Sequence, residues 1–138
     1  MKITADTNLL LRAILADHPE QAVQAQTVIG RAEVIAIPLP VFCEMAWTMR
    51  RLYKRTADDI AISIEALLQV ENVATDRPAV EAGLAVLRRG GDFADGVIAW
   101  QGMALGGTVL ATFDRAGITA LESAGLRAAE PDRLLAEH

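Results

Sequence analysis

The sequence predicts an α/β fold whose central sheet is mainly parallel, with about four or five strands flanked by helices. Short runs rich in β-branched residues alternate with longer stretches whose apolar residues recur at helical spacing. No succession of hairpin turns interrupts that alternation. The chain is also 52% hydrophobic over 138 residues with only five prolines, enough apolar material for one packed core, so a single domain over residues 1–138 is expected.

The elements follow in order. Lys2 to Ala5 reads as a strand, and a helix begins at once through Leu9, Leu10, Ala13 and Ile14, placing Asp6 at the strand's carboxyl end. His18 to Gly30 suits a second helix, and Val34 to Ile37 a β-branched strand stopped by Pro38. Pro40 fits the first turn of a third helix running to about Tyr53, apolar except for Glu44 and Thr48 until its basic end. Thr56 and Asp59 approximate a capping box for a fourth helix with Ile60, Ile64, Leu67 and Leu68 on its buried stripe. A brief strand is expected around Val70 to Val73. Asp76 and Pro78 start a fifth helix through Val80, Leu84 and Leu87, closed by Gly90 and Gly91. A sixth opens near Asp92, carries Asp95, Val97, Ile98, Trp100 and Met103, and stops at Gly106 and Gly107. Thr108 to Ala111 is a strand leading into Thr112, Phe113 and Asp114, and Leu126 to Ala129 is the last strand.

Charge excludes some functions. Thirteen basic against eighteen acidic residues give a net charge of −5, which argues against broad electrostatic binding of nucleic acid. A local basic track remains open: Arg50, Arg51, Lys54 and Arg55 form one cluster, Arg88 and Arg89 another. Each is also readable as a solvated helix end, where cations are favoured, and Gly90 and Gly91 mark such an end after Arg88 and Arg89. Cys43 is the lone cysteine and lies among Val41, Phe42 and Met45, so a buried, inert thiol in a reducing cytoplasm is the expectation. Neither a signal peptide nor a membrane span is predicted, since Asp6 and Asn8 break the first apolar stretch and the run from Val34 to Cys43 is short and contains prolines.

Four acids stand out: Asp6, Glu44, Asp95 and Asp114 each begin, end or interrupt an apolar segment. Carboxylates with almost no histidine or cysteine nearby form the oxygen-rich ligand set that hard cations such as Mg²⁺ favour. In open parallel sheets the ligand crevice lies beyond the strands' carboxyl ends, which is where Asp6 and Asp114 fall. Other readings exist for each acid. Asp6 and Asp92 suit helix N-caps, Asp114 suits a turn, and Glu44, set among apolar neighbours, suits a buried ion pair with Arg50, Arg51 or a distant arginine.

Asp6-Thr7-Asn8 after an apolar strand, Glu44 in a helix after a proline-containing turn, Asp92-Phe93-Ala94-Asp95 followed by Val97-Ile98-Ala99, and Thr112-Phe113-Asp114 after a strand together resemble the PIN-domain ribonucleases, and among them most closely the VapC toxins. The resemblance runs from about Ile3 to Glu130. It implies that Asp6, Glu44, Asp95 and Asp114 hold Mg²⁺ or Mn²⁺, with Thr7 and Thr112 as polar neighbours and Asn8 orienting the pocket. Asp92 aligns less directly, because the family's acid in that segment falls on Asp95. The implied reaction is hydrolysis of RNA phosphodiesters by metal-activated water, leaving 5′-phosphate and 3′-hydroxyl ends. Neither His18 nor His138 falls in a matched segment, so a histidine acid–base pair has no basis. The toxin resemblance further implies a cognate antitoxin, whose arginine or lysine would suit an acidic pocket, and a homodimer. For the latter, Met45, Met49, Leu52 and Tyr53 offer surface unless they are core.

Two rivals share the acids. A housekeeping PIN-type nuclease for RNA processing would carry the same four but be non-toxic. A receiver-like signalling module also gathers acids on Mg²⁺, but needs adjacent acids after the first strand and a lysine after a late one, whereas here Ala5-Asp6-Thr7 follows the first strand and no lysine occurs after Lys54.

Overall fold

Acidic or hydroxyl residues stand at most of the points where extended backbone gives way to helix, a proline at another, and this punctuation sets the architecture. In the computed structural model, which describes residues 1–137, the chain resolves into two compact units that meet in sequence at Asp76 and Arg77. The first unit runs β1 (Lys2–Thr4), α1 (Thr7–Leu15), α2 (Pro19–Arg31), β2 (Val34–Ala36), α3 (Leu39–Arg51), α4 (Ala57–Leu68) and β3 (Val73–Ala74). It is two successive strand–helix–helix passages closed by a third strand. The second runs α5 (Arg77–Arg88), α6 (Phe93–Ala104), β4 (Leu110–Ala111), α7 (Arg115–Ser123), β5 (Ala128–Ala129) and α8 (Pro131–Glu137).

Every strand pairing is parallel, as the α/β reading requires. In the first unit the order is β1-β2-β3, with Ile3 opposite Ile35 and Ile35 opposite Val73. The ladder continues past the regular strands: the Ala5 amide donates to the Ala36 carbonyl at 2.9 Å and Ile37 to Ala74 at 3.0 Å. These two bonds hold the chain straight up to Asp6 and Pro38. In the second unit β4 pairs with β5, Leu110 opposite Ala128, and the Thr112 amide extends the pair by donating to Ala129 at 3.1 Å.

Three of the expected strands need correction. The strand expected at Val70 to Val73 lies at Val73–Ala74, because the Gln69 and Val70 amides still bond to Glu65 and Leu67 carbonyls at the end of α4. Thr108 to Ala111 and Leu126 to Ala129 shrink to their last two residues. Leu126 is kept out of β5 because its amide donates back to the Leu121 carbonyl at 2.9 Å. Helices α7 and α8 were not anticipated.

The first unit buries Phe42, Met45, Ala46 and Met49 of α3 and Ile60, Ile64, Leu67 and Leu68 of α4. Met45 and Met49 are 0% and 1% exposed, so they are core and not the association surface entertained from the sequence. Each of these side chains apart from Ala46 stabilises the fold by about 1.5–3 kcal/mol on burial. Cys43 is only half-buried, contrary to the fully buried thiol expected. In the second unit, α5 and α6 approach closely because glycines face each other's helix. A Cβ at Gly96 would lie 2.6 Å from the Ala82 carbonyl oxygen, and one at Gly83 2.6 Å from the Phe93 ring. Val86, Leu121 and Leu126 form a further cluster with Ala120 and Ala128.

Gly96 adjoins Asp95, so its contact fixes the turn of α6 that carries that acid. Gly96→Ala must force α5 and α6 apart, since backbone cannot yield as a side chain does, and should cost about 1–3 kcal/mol of stability. Denaturant unfolding measures this, and a stability unchanged within error would show the approach to be loose.

Candidate active site

Three of the candidate acids take part in the local structure that places them. Asp6 caps α1, its Oδ1 accepting from the Leu9 amide at 2.8 Å. Asp92 caps α6, Oδ1 accepting from Ala94 at 3.1 Å, and Asp114 caps α7, Oδ1 accepting from Gly117 at 3.0 Å. Asp114 is therefore not a simple turn residue. Each cap stabilises its helix by about 1 kcal/mol and sets a carboxylate against the positive end of the helix dipole. Each uses one oxygen. The cap and ligand readings, alternatives at the level of sequence, are compatible in the geometry.

Around these caps the hydroxyls do the positioning. Thr112 Oγ1 accepts from the Asp114 amide at 3.1 Å, shaping the turn between β4 and α7. Thr7, the first residue of α1, donates its hydroxyl to Glu44 Oε2 at 3.2 Å across 37 residues of sequence. In the first unit, then, the residue after Asp6 is tied to the acid of α3. Glu44 itself is exposed, on the face of α3 opposite Phe42, Met45 and Met49. The buried ion pair is overturned: among the described residues neither Arg50, Arg51 nor another cation pairs with it. Asn8 is exposed in the first turn of α1 and, with Asp6 and Arg12, lines an open cleft of about 350 Å³ between α1 and α2.

In the second unit the carboxylates crowd. Asp95 is half-buried, and its carboxyl is pushed above the usual aspartate range, first by burial and then by the charges of Asp92 and Asp114. Gly117, unnoticed in the sequence, permits this: a Cβ there would stand 2.7 Å from Asp114 Oδ2 and 3.4 Å from Asp95 Oδ2. No arginine or lysine ion-pairs with Asp92, Asp95 or Asp114 among the described residues. Nor are three acid, histidine or cysteine side chains gathered tightly enough among them to chelate an ion unaided. The donor chemistry nonetheless fits a hard divalent cation: the groups are oxygens, and their mutual repulsion is what such a cation offsets. His18 is committed elsewhere, its Nδ1 accepting from the Gln21 amide at 3.3 Å as the cap of α2, and His138 lies outside the described residues.

A folded-state carboxyl that holds its proton more tightly than the unfolded one favours the fold while protonated. That stability is present below the ordinary aspartate pKa and is lost as pH rises through the raised value. In chelator, the wild type should therefore lose stability relative to Asp95→Asn as pH climbs from acid toward neutral. Because Asp95 is partly solvated the gap should be modest, about one or two degrees of melting temperature at neutral pH. An Asp95→Asn protein that melts lower than wild type there would contradict the crowding.

The family model for the PIN domain matches residues 3–121 of the chain, which takes in all four segments carrying these acids. No curated protein matches it. PIN domains are generally nucleases that act on nucleic acids with divalent metal ions. No helix among the described residues is long and apolar enough to cross a membrane. The chain belongs to the PIN-domain family.

Proposed function

We propose that the chain is a single PIN domain acting as a metal-dependent endoribonuclease, the VapC-like toxin of a type II toxin–antitoxin pair, with Asp6, Glu44, Asp95 and Asp114 as the ligands of Mg²⁺ or Mn²⁺. One observation carries the catalytic reading: Asp95 sits under the like charge of Asp92 and Asp114 with no ion-paired basic side chain among the described residues to relieve it, an arrangement suited to an inorganic cation. Asp6, Glu44, Asp95 and Asp114 would hold the cation, whose Lewis acidity would be available to the phosphodiester and to an attacking water. The chain's own residues do the rest. Asp6 and Asp114 are pinned by their caps, so each presents its second oxygen in a set direction. Thr7 orients Glu44, and Thr112 holds the turn that aims Asp114. Asp92 serves mainly as the cap of α6 and adds negative charge beside Asp95.

His18 is engaged as a cap, which favours hydrolysis by water over attack by the RNA's own 2′-hydroxyl with histidine help. The toxin assignment rests on the resemblance of the four segments to the VapC group. Its partners would be an antitoxin supplying a cation to the carboxylates and a second copy of the chain; a reducing cytoplasm is the setting this implies.

Purified protein should cleave single-stranded RNA with Mg²⁺ or Mn²⁺, stop in chelator, and leave 5′-phosphate ends. Asp114→Asn should lose at least about a hundredfold in rate, since even removing groups that only support metal ligands costs ten- to a hundredfold. A 2′,3′-cyclic phosphate product would sink the mechanism. Induced expression should arrest growth in the wild type and not in Asp114→Asn; an active but harmless nuclease would instead favour a housekeeping role in RNA processing.

A further inference from the structure

The solvent face of α3 carries a second feature in line with Glu44. Glu44, Trp47 and Arg51 are spaced i, i+3 and i+7, so they share one face of the helix, with Arg51 about 10.5 Å along the axis from Glu44. Trp47 is 55% exposed, and the Arg51 guanidinium lies 5.9 Å from its ring centroid. Arg50, Lys54 and Arg55 are exposed beside them, and none of the four cations has an acidic partner among the described residues. Cations at a helix C-terminus are ordinarily explained by the helix dipole. That does not account for an exposed tryptophan, nor for Lys54.

Lys54 has φ +55°, a left-handed conformation in which glycine is the usual residue. The turn is held by the Arg55 amide donating to the Met49 carbonyl at 2.9 Å, which folds Lys54 and Arg55 back beside the helix end. A lysine kept there costs backbone strain and gains only a positive charge, in a chain of net charge −5. Aromatic faces beside unpaired cations are what single-stranded nucleic acids bind, bases stacking and phosphates pairing.

We propose that this ridge of α3 is the RNA track leading to Glu44: Trp47 stacks on an unpaired base while Arg51, Lys54 and their basic neighbours hold the adjoining phosphates. The inference rests on the ribonuclease reading for what the track serves. Trp47 and the cations are positioning residues, distinct from the acids.

Binding of a mixed-sequence single-stranded oligoribonucleotide in chelator tests it without cleavage. Quenching of tryptophan fluorescence should persist in Trp100→Phe and vanish in Trp47→Phe, which nonetheless keeps most of the affinity. Trp47→Ala should lose about tenfold. Lys54→Gln should flatten the slope of log affinity against log salt by about 0.7, the value for one phosphate contact on a single strand. Lys54→Gly should melt higher, its strain relieved, yet bind RNA more weakly. With metal present, Trp47→Ala should raise KM far more than it lowers kcat. The track is overturned if the wild type binds and cuts RNA while Trp47→Ala and Lys54→Gln leave affinity and salt slope unchanged, or if Trp47→Ala dissociates a dimer with RNA affinity intact. Binding through Trp47 without any cleavage would leave the track standing and remove the nuclease reading; a wild type that neither binds nor cuts removes both.

Discussion

A carboxylate that caps a helix has one oxygen committed and one to spare, and the rest of this molecule's chemistry depends on that division. Asp6, Asp92 and Asp114 each accept a backbone N–H at the first turn of a helix. The cap anchors the side chain within a rigid element and points it at the backbone N–H groups of the first turn. An acid held in this way can be functional without destabilising its surroundings. Asp95, a turn into α6 with no cap to make, bears the unfavourable balance: partial burial and like charge together raise its proton affinity. The electrostatic cost of the crowding thereby falls on Asp95, while Asp92 and Asp114 are held by the helices they cap.

Small residues decide how closely the acids of the second unit can approach one another. Gly96 brings α6 against α5 at a separation no side chain would allow, and Gly117 leaves room for the Asp114 and Asp95 oxygens beside the first turn of α7. In the first unit the equivalent work is done by the parallel ladder, which runs straight to Ala5 and Ile37 and so delivers Asp6 and the proline turn before α3 at the sheet's carboxyl edge. The hydroxyl of Thr7 then ties the two segments together through Glu44.

Much of this was legible in the sequence, and the failures have physical causes. Helices α1 to α6 announced themselves through caps and periodicity: Thr56 accepts from the Asp59 amide as the capping pattern requires, and Gly90 takes the φ of +86° that ends α5. Glu44 was placed on the right helix but in the wrong environment. The composition of α3 is so apolar that its two faces look alike, and only packing shows that Trp47 and half of Cys43 stand on the outside while Phe42, Met45 and Met49 form the core. Helix α7 was passed over although Asp114, Ile118 and Leu121 carry a cap followed by helical spacing; two glycines and short flanking strands hid it. The two-residue strands β4 and β5 lie below what periodicity can resolve, and β3 was misplaced because the amides after α4 remain bonded to its carbonyls. Gly117 left no signal in the sequence, since its importance comes from what approaches it.

The proposed ligand set of one divalent cation includes both Glu44 and Asp95. Electron paramagnetic resonance of Mn²⁺ titrated into the wild type, Glu44→Gln and Asp95→Asn, with folding checked in each, addresses it most directly. Free Mn²⁺ should disappear on binding to the wild type, and either single substitution should weaken that binding at least about tenfold, the scale set by the loss of a supporting contact alone. Wild-type Mn²⁺ affinity retained in Glu44→Gln, with loss only in Asp95→Asn, would contradict the account and confine the metal to the acids of α6 and α7.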